Sequence, residues 1–202
     1  MHAQRPQAWR AADAQRDTSW ILRLTDANVA SFDHALAHAK SVGKAPLDMT
    51  RDDFPLDEGA RQALARAVDL TQGRWGMCLV KGFPVDRWSE DDTRLAYWGM
   101  GLHMGVARTQ NRASDFMNDV RDVGAAYKTT NGRGYNTNSK LDFHSDGSDL
   151  VGLICLKQAR EGGDSMVTHS LHAWRVMQSE RPDLAERLFD LFVFSRQGEE
   201  AA

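Results

Sequence analysis

Leu141-Asp-Phe-His-Ser-Asp-Gly147 decides how this chain is read. Leu141 to Asp146 has the pattern of a β-strand, and successive side chains of a strand point to opposite faces. His144 and Asp146 are two residues apart, so on a strand both project from the same face. An imidazole nitrogen and a hard carboxylate oxygen presented together suit a divalent metal, with one further protein ligand to be found. The same tripeptide also reads as a surface histidine beside a turn aspartate, and His-x-Asp taken alone does not choose between the two.

The surroundings of the motif are informative. Ahead of it lies Arg133-Gly-Tyr-Asn-Thr-Asn138, the end of a region from about 108 to 140 rich in Asn, Asp, Gly and Thr. A loop of that length is uncommon unless it is functional or disordered. After it come Asp146-Gly-Ser-Asp149 and the apolar run Val151-Gly-Leu-Ile-Cys-Leu-Lys157. A Gly162-Gly-Asp-Ser165 turn then leads into Ser165–Thr168. We expect strands at 141–146, 150–157 and 165–168, a helix capped by Ser170 to about Gln178, and another starting at Pro182.

The first half of the chain reads as mainly helical. Val29, Phe32, Leu36 and Ala39 recur on one face between Asp26, a candidate cap, and Gly43. A second amphipathic segment runs from about Glu58 to Leu70, with Leu64, Ala67 and Val68 inward. Ser89-Glu-Asp-Asp-Thr opens a third, with acids in its first turn and Leu95, Trp98 and Leu102 inward. Trp75 to Gly82 reads as a buried strand bounded by glycines. Residues 1–20 read as a loosely held polar lead-in that Trp9 and Trp20 could dock, and 21–202 read as part of a single domain. Helices followed by strands point to an α+β fold.

Composition excludes several classes. Of the 202 residues, 42% are hydrophobic and 26% charged, so the chain can build one real core. The formal charge of −3 is spread without a basic stripe, which argues against a nucleic-acid partner. No apolar run approaches the roughly 20 residues that cross a bilayer, and the polar N-terminus lacks a secretory h-region. Cys78 and Cys155 each sit in an apolar run and read as buried thiols, with a disulfide as the lesser alternative; the expected compartment is the cytoplasm. His34 and His38, four apart on the first helix, have metal-compatible spacing but no third ligand nearby. Trp75, Trp98, Trp174, Met100 and Met104 read as core. The sequence carries no phosphate loop, nucleophile elbow or Cys-x-x-Cys zinc pattern.

Taken together, the Arg133–Asn138 segment, His144-Ser-Asp146 and Gly162-Gly-Asp-Ser165 resemble the TauD/TfdA-like (taurine/alpha-ketoglutarate dioxygenase, clavaminate synthase-like) family. The resemblance covers roughly residues 70–200 and is densest over 133–168. It implies a double-stranded β-helix, or jelly roll, here incomplete, with N-terminal and peripheral helices. It also implies one Fe(II), bound by a 2-His-1-carboxylate facial triad, with 2-oxoglutarate as co-substrate. The activity implied is oxidation by O2, commonly hydroxylation, of a small polar metabolite. His144 and Asp146 match the proximal iron ligands. Ser165 matches a hydroxyl that holds the 2-oxoglutarate carboxylate, a neutral donor suited to an anion, or else it is a turn residue. Tyr135 and Asn138 fall where such proteins shape the substrate pocket, or else they build the loop.

Two elements of the family pattern have no counterpart at matching positions: a second iron-binding His, and an Arg after it that holds the outer carboxylate of 2-oxoglutarate. His169 and His172 read as solvent or helix-end histidines, and Arg175 as a solvated helix charge. The chain ends at Ala202 with the look of a domain cut midway. On this reading the 202-residue chain is inactive and poorly soluble by itself. The competing expectation is a non-catalytic fragment or scaffold that keeps part of the oxygenase fold. Substrate identity and oligomeric state are not legible.

Overall fold

The computed structural model describes residues 5–110, 115–124 and 134–193. They fall into two compact units, Met1–Val106 with Gly152–Asp190, and Ala107–Val151 with Leu191–Ala202. In the first unit, helix α1 (Ala11–Arg16) leads to strand β1 (Ile21–Arg23), followed by helices α2 (Asp26–Val42) and α3 (Glu58–Gln72). Strand β2 (Leu79–Lys81), helix α4 (Glu90–Met104) and the later pair α5 (Ser170–Glu180) and α6 (Pro182–Arg187) complete it.

Helices α2, α3 and α4 form where local chemistry favours them. Thr25, not Asp26, caps α2, its hydroxyl accepting from the Asn28 N–H at 3.2 Å, while Gly43 ends the helix in the left-handed region at φ 68°. Asp57 caps α3 and Ser89 caps α4 through the N–H groups of Ala60 and Asp92. The expected inward face of α2 is buried in full: Val29, Phe32, Leu36 and Ala39. On α3, Leu64 and Ala67 are buried and Val68 is half-buried. On α4 the buried stripe is Thr93, Ala96, Trp98 and Met100, and Leu95 and Leu102 lie at its margin.

The three helices close over Phe54, which is fully buried. Its ring rests on the backbone of α4 at Gly99, where a Cβ would stand only 2.3 Å from the nearest ring carbon. His103 of α4 pairs through Nε2 with the Phe54 carbonyl at 2.8 Å. Charges tie the periphery: Lys40 of α2 to Asp92 of α4 at 2.7 Å, and Lys44 to Asp53 at 2.8 Å. Lys44, with the Thr50 N–H also donating, holds the Asp53 carboxyl at a pKa of about 2.

The lead-in is docked rather than loose. Trp9 Nε1–H donates to the Trp75 carbonyl at 2.8 Å, Trp75 Nε1–H donates to Ser19 Oγ at 2.8 Å, and Trp20 Nε1–H donates to the Ala14 carbonyl at 2.9 Å. Trp9, Ala14 and Trp75 form a small buried cluster with Trp20 and Met77 against it.

The β content differs from the sequence expectation. Among the described residues the sheet consists of β1 and β2 alone, paired in parallel with Ile21 opposite Leu79. The expected strand at 75–82 is thus reduced to Leu79–Lys81, and the strands expected at 141–146, 150–157 and 165–168 are not formed. A strand's ladder hydrogen bonds come from a neighbouring strand, and these segments have no ladder partner among the described residues. Their apolar side chains stand exposed, Phe143 at 62% and Leu153 at 76%. The fold is mixed, helix with little strand, and a jelly roll is not formed by the described residues.

Cys155, expected to be buried, is exposed, whereas Cys78 is half-buried and burial pushes its thiol pKa up; both are free thiols. Trp174 is half-buried, not core. The cap of α5 is His169, not Ser170. No helix among the described residues is long and apolar enough to cross a membrane.

Candidate metal centre

His144 and Asp146 lie in an irregular extended segment, yet their side chains converge. His144 Nδ1 is 2.8 Å from the carbonyl of Asp142. A carbonyl only accepts, so Nδ1 is the donor, and a neutral ring bonded in this way has its lone pair on Nε2. That Nε2 stands 3.7 Å from Asp146 Oδ1. A backbone carbonyl bonded to one ring nitrogen in this way leaves the other available as a ligand. Two bonds of about 2.1 Å at right angles put donor atoms about 3 Å apart, so a small side-chain rotation brings the pair to octahedral spacing. Both side chains are more than half exposed, at 58% and 55%.

The donor set therefore fits Fe(II) in kind: one neutral imidazole nitrogen and one carboxylate oxygen. It does not complete a site. Among the described residues no group of three or more His, Cys, Asp or Glu is placed to hold a metal. His34 and His38 are both exposed on the outer face of α2.

The remaining candidates occupy separate settings. Tyr135 is half-buried in a single 3-10 turn, Gly134–Asn136, and its carbonyl accepts the Arg121 N–H at 3.1 Å. Asn138 is exposed just beyond that turn. Both belong to the same compact unit as His144 and Asp146. Ser165 belongs to the other unit, exposed after a turn in which Gly162 and Gly163 take φ of 69° and 73°. Two successive left-handed residues need glycine, which explains the Gly-Gly before Asp164. Arg133 and the tail from 194 onward lie outside the described residues.

Sequence reasoning missed two features near these positions. Gly152 lets Tyr97 of α4 lie close against its backbone: a Cβ there would be 2.5 Å from the Tyr97 hydroxyl oxygen. Burial pushes the Tyr97 hydroxyl pKa up. The glycine in an apolar run was the available signal, since such a glycine marks close approach of another group. His169 was read as a helix-end histidine; it is that, and it is also buried.

Comparison with known proteins bears on the family. The family model described as "Taurine catabolism dioxygenase TauD, TfdA family" matches residues 37–201. FR-33289 synthase of Streptomyces rubellomurinus is 28% identical over 193 residues, covering 95% of this chain and 57% of that protein. A taurine hydroxylase-like protein, SAT17, of Stachybotrys chartarum is 22% identical over 196 residues, covering 93% of this chain and 50% of that protein. The chain thus spans about half the length of the curated relatives it matches. With a family match over most of its residues, this chain belongs to the TauD, TfdA dioxygenase family.

Proposed function

We propose that the chain contributes the proximal metal ligands and part of the co-substrate site of an Fe(II)- and 2-oxoglutarate-dependent oxygenase acting on a small polar molecule. The observation that supports this most directly is the approach of His144 Nε2 to Asp146 Oδ1 at 3.7 Å, with Nδ1 already engaged by the Asp142 carbonyl. Fe(II) with 2-oxoglutarate would supply O2 activation, releasing succinate and CO2 and delivering one oxygen atom to the substrate. Within that chemistry the roles of this chain's residues follow from their donors. His144 would bind through Nε2, with its other nitrogen giving its proton to a backbone oxygen. Asp146 binds through a carboxylate oxygen and offsets part of the metal's charge. Ser165 donates its hydroxyl to a carboxylate of 2-oxoglutarate, and Tyr135 and Asn138 face the substrate. A cytoplasmic setting, with a small molecule and O2 as the only partners, accords with the chemistry.

Anaerobic calorimetry with Fe(II), with and without 2-oxoglutarate, tests the assignment. We expect binding to the 202-residue chain that weakens by more than about 10-fold in His144→Ala and in Asp146→Ala, since even an outer partner of a ligand is worth that much. Equal affinity in wild type and both variants would sink the assignment of the pair.

A second reading is favoured by one specific observation: among the described residues no third ligand accompanies the pair. On that reading the chain is a non-catalytic scaffold that keeps part of the oxygenase fold. Absence of both Fe(II) and 2-oxoglutarate binding favours it over the first.

A further inference from the structure

His169 stands outside the candidate metal centre, and its surroundings give it a different role. It is the N-cap of α5: its ring Nδ1 accepts the backbone N–H of Leu171 at 3.2 Å. Only a neutral imidazole whose Nδ1 is unprotonated can accept there. The ring is buried. It packs edge-on against Trp9 of the lead-in, with centroids 5.8 Å apart and planes at 79°. Its Nε2 lies toward Gly76, where an added Cβ would come within 4.0 Å. Trp9 in turn is bonded to the Trp75 carbonyl and tilted against the Trp75 ring at 6.0 Å. One imidazole therefore joins three segments: the lead-in, the stretch ahead of β2, and the start of α5.

We propose that His169 is a pH-sensitive latch, which when neutral caps α5 and holds the lead-in through Trp9, and when protonated gives up the cap and loosens that grip. Three physical effects act in the same direction. Protonation puts a hydrogen on Nδ1, so the Leu171 N–H loses its acceptor. It places a positive charge at a helix N-terminus, the end that already carries partial positive charge. It also charges a ring that is largely removed from water.

The ionisable groups around the ring do not oppose this. On α5 itself His172 and Arg175 act on His169, and both disfavour its protonation. On the segment ahead of β2, Arg74 lies 4.6 Å over the Trp75 ring and is paired with Asp17 at 3.1 Å. On the lead-in, the Asp13 carboxylate is engaged by Arg16 and by the Arg10 N–H. Burial first, and then His172 and Arg175, hold the His169 pKa below its ordinary 6.5. The unfolded chain therefore takes the proton more readily than the folded one. The latch contributes its stability in full above the ordinary histidine pKa, and that contribution is lost as the pH falls through the lowered folded value. None of this depends on the oxygenase assignment.

The test is a histidine-resolved NMR titration of the full chain from pH 8 to pH 4.5, with His169 identified by its proximity to the Trp9 ring. Amide exchange is measured in parallel at Leu171 and at the Trp9 indole N–H. We expect His169 to titrate below free imidazole. Protection at both sites, corrected for intrinsic exchange, should fall several-fold as it does so. In His169→Asn, whose side-chain oxygen caps without titrating, that fall should disappear. A His169 midpoint at or above 6.5, or the same fall in the Asn variant, would overturn the latch. If the Asn variant does not fold, the wild-type midpoint and its coincidence with the loss of protection still decide the matter.

Discussion

The helices from Asp26 to Met104 and the segment from Leu141 to Thr168 both carry many apolar residues but are opposite in what becomes of them. In the first, Phe32, Phe54, Leu64 and Ala96 are buried almost completely. In the second, Phe143, Val151, Leu153, Met166 and Val167 are all exposed. A helix satisfies its backbone within its own segment, and its apolar stripe needs only another stripe to meet. A strand must borrow its hydrogen bonds from a neighbour, and among the described residues 141–168 has none. Apolar side chains therefore yield a core in one region and an open surface in the other.

The sharpest way to break the contrast is to attack the helical region where its packing is tightest. Phe54→Ala should lower stability by about 3–5 kcal/mol, the range for emptying a buried aromatic site, as read by urea denaturation. Gly99→Ala probes the same contact from the other side. The added methyl overlaps the Phe54 ring, whose nearest carbon lies 2.3 Å from the built Cβ position. Either variant behaving like wild type would show that the Phe54 contact does not hold the helices together.

Acid probes the polar fastening of the same region. Asp53 has its pKa held at about 2 first by Lys44 and then by the Thr50 N–H. A lowered carboxylate pKa means that the folded chain releases the proton more readily than the unfolded one. The stabilisation is thus present above the ordinary value of 3.8 and fades as the pH drops toward 2. Comparing melting temperatures of wild type and Lys44→Met at pH 7 and pH 2.5, we expect the gap between the two to narrow in acid. An unchanged gap would mean that the pair contributes nothing specific.

What was legible in the sequence follows the same division. The helix bounds at Gly43, Glu58 and Ser89 and the inward face at Val29, Phe32, Leu36 and Ala39 could be read because caps and 3.6-residue periodicity are local signals. The family could be read from His144-Ser-Asp146 and the Gly-Gly-Asp-Ser turn, since those spacings are themselves the signal. Strand formation at 141–146 and 150–157 could not, because alternation states what a strand would bury but not whether a partner strand is present. The burial of Cys155 failed for that reason. His169 could be read as a helix-end residue but not as a buried one, because nothing local announces that Trp9, 160 positions earlier, closes over it.

The smallest expected effect lies in the open region and is the most telling for the comparison. Leu153→Ser, Val167→Thr and Met166→Gln remove apolar atoms that are already in water in this structure. Substitutions of this kind normally stay within about 0.5 kcal/mol of wild type. They should also raise the concentration at which the chain stays in solution, because exposed apolar patches drive association. Both outcomes can be read from one set of samples, by urea denaturation and by static light scattering against concentration. A loss of stability as large as that of Phe54→Ala would mean that these side chains are buried in solution after all. The line drawn between the two regions would then be wrong, and the strands expected from the sequence would regain their case.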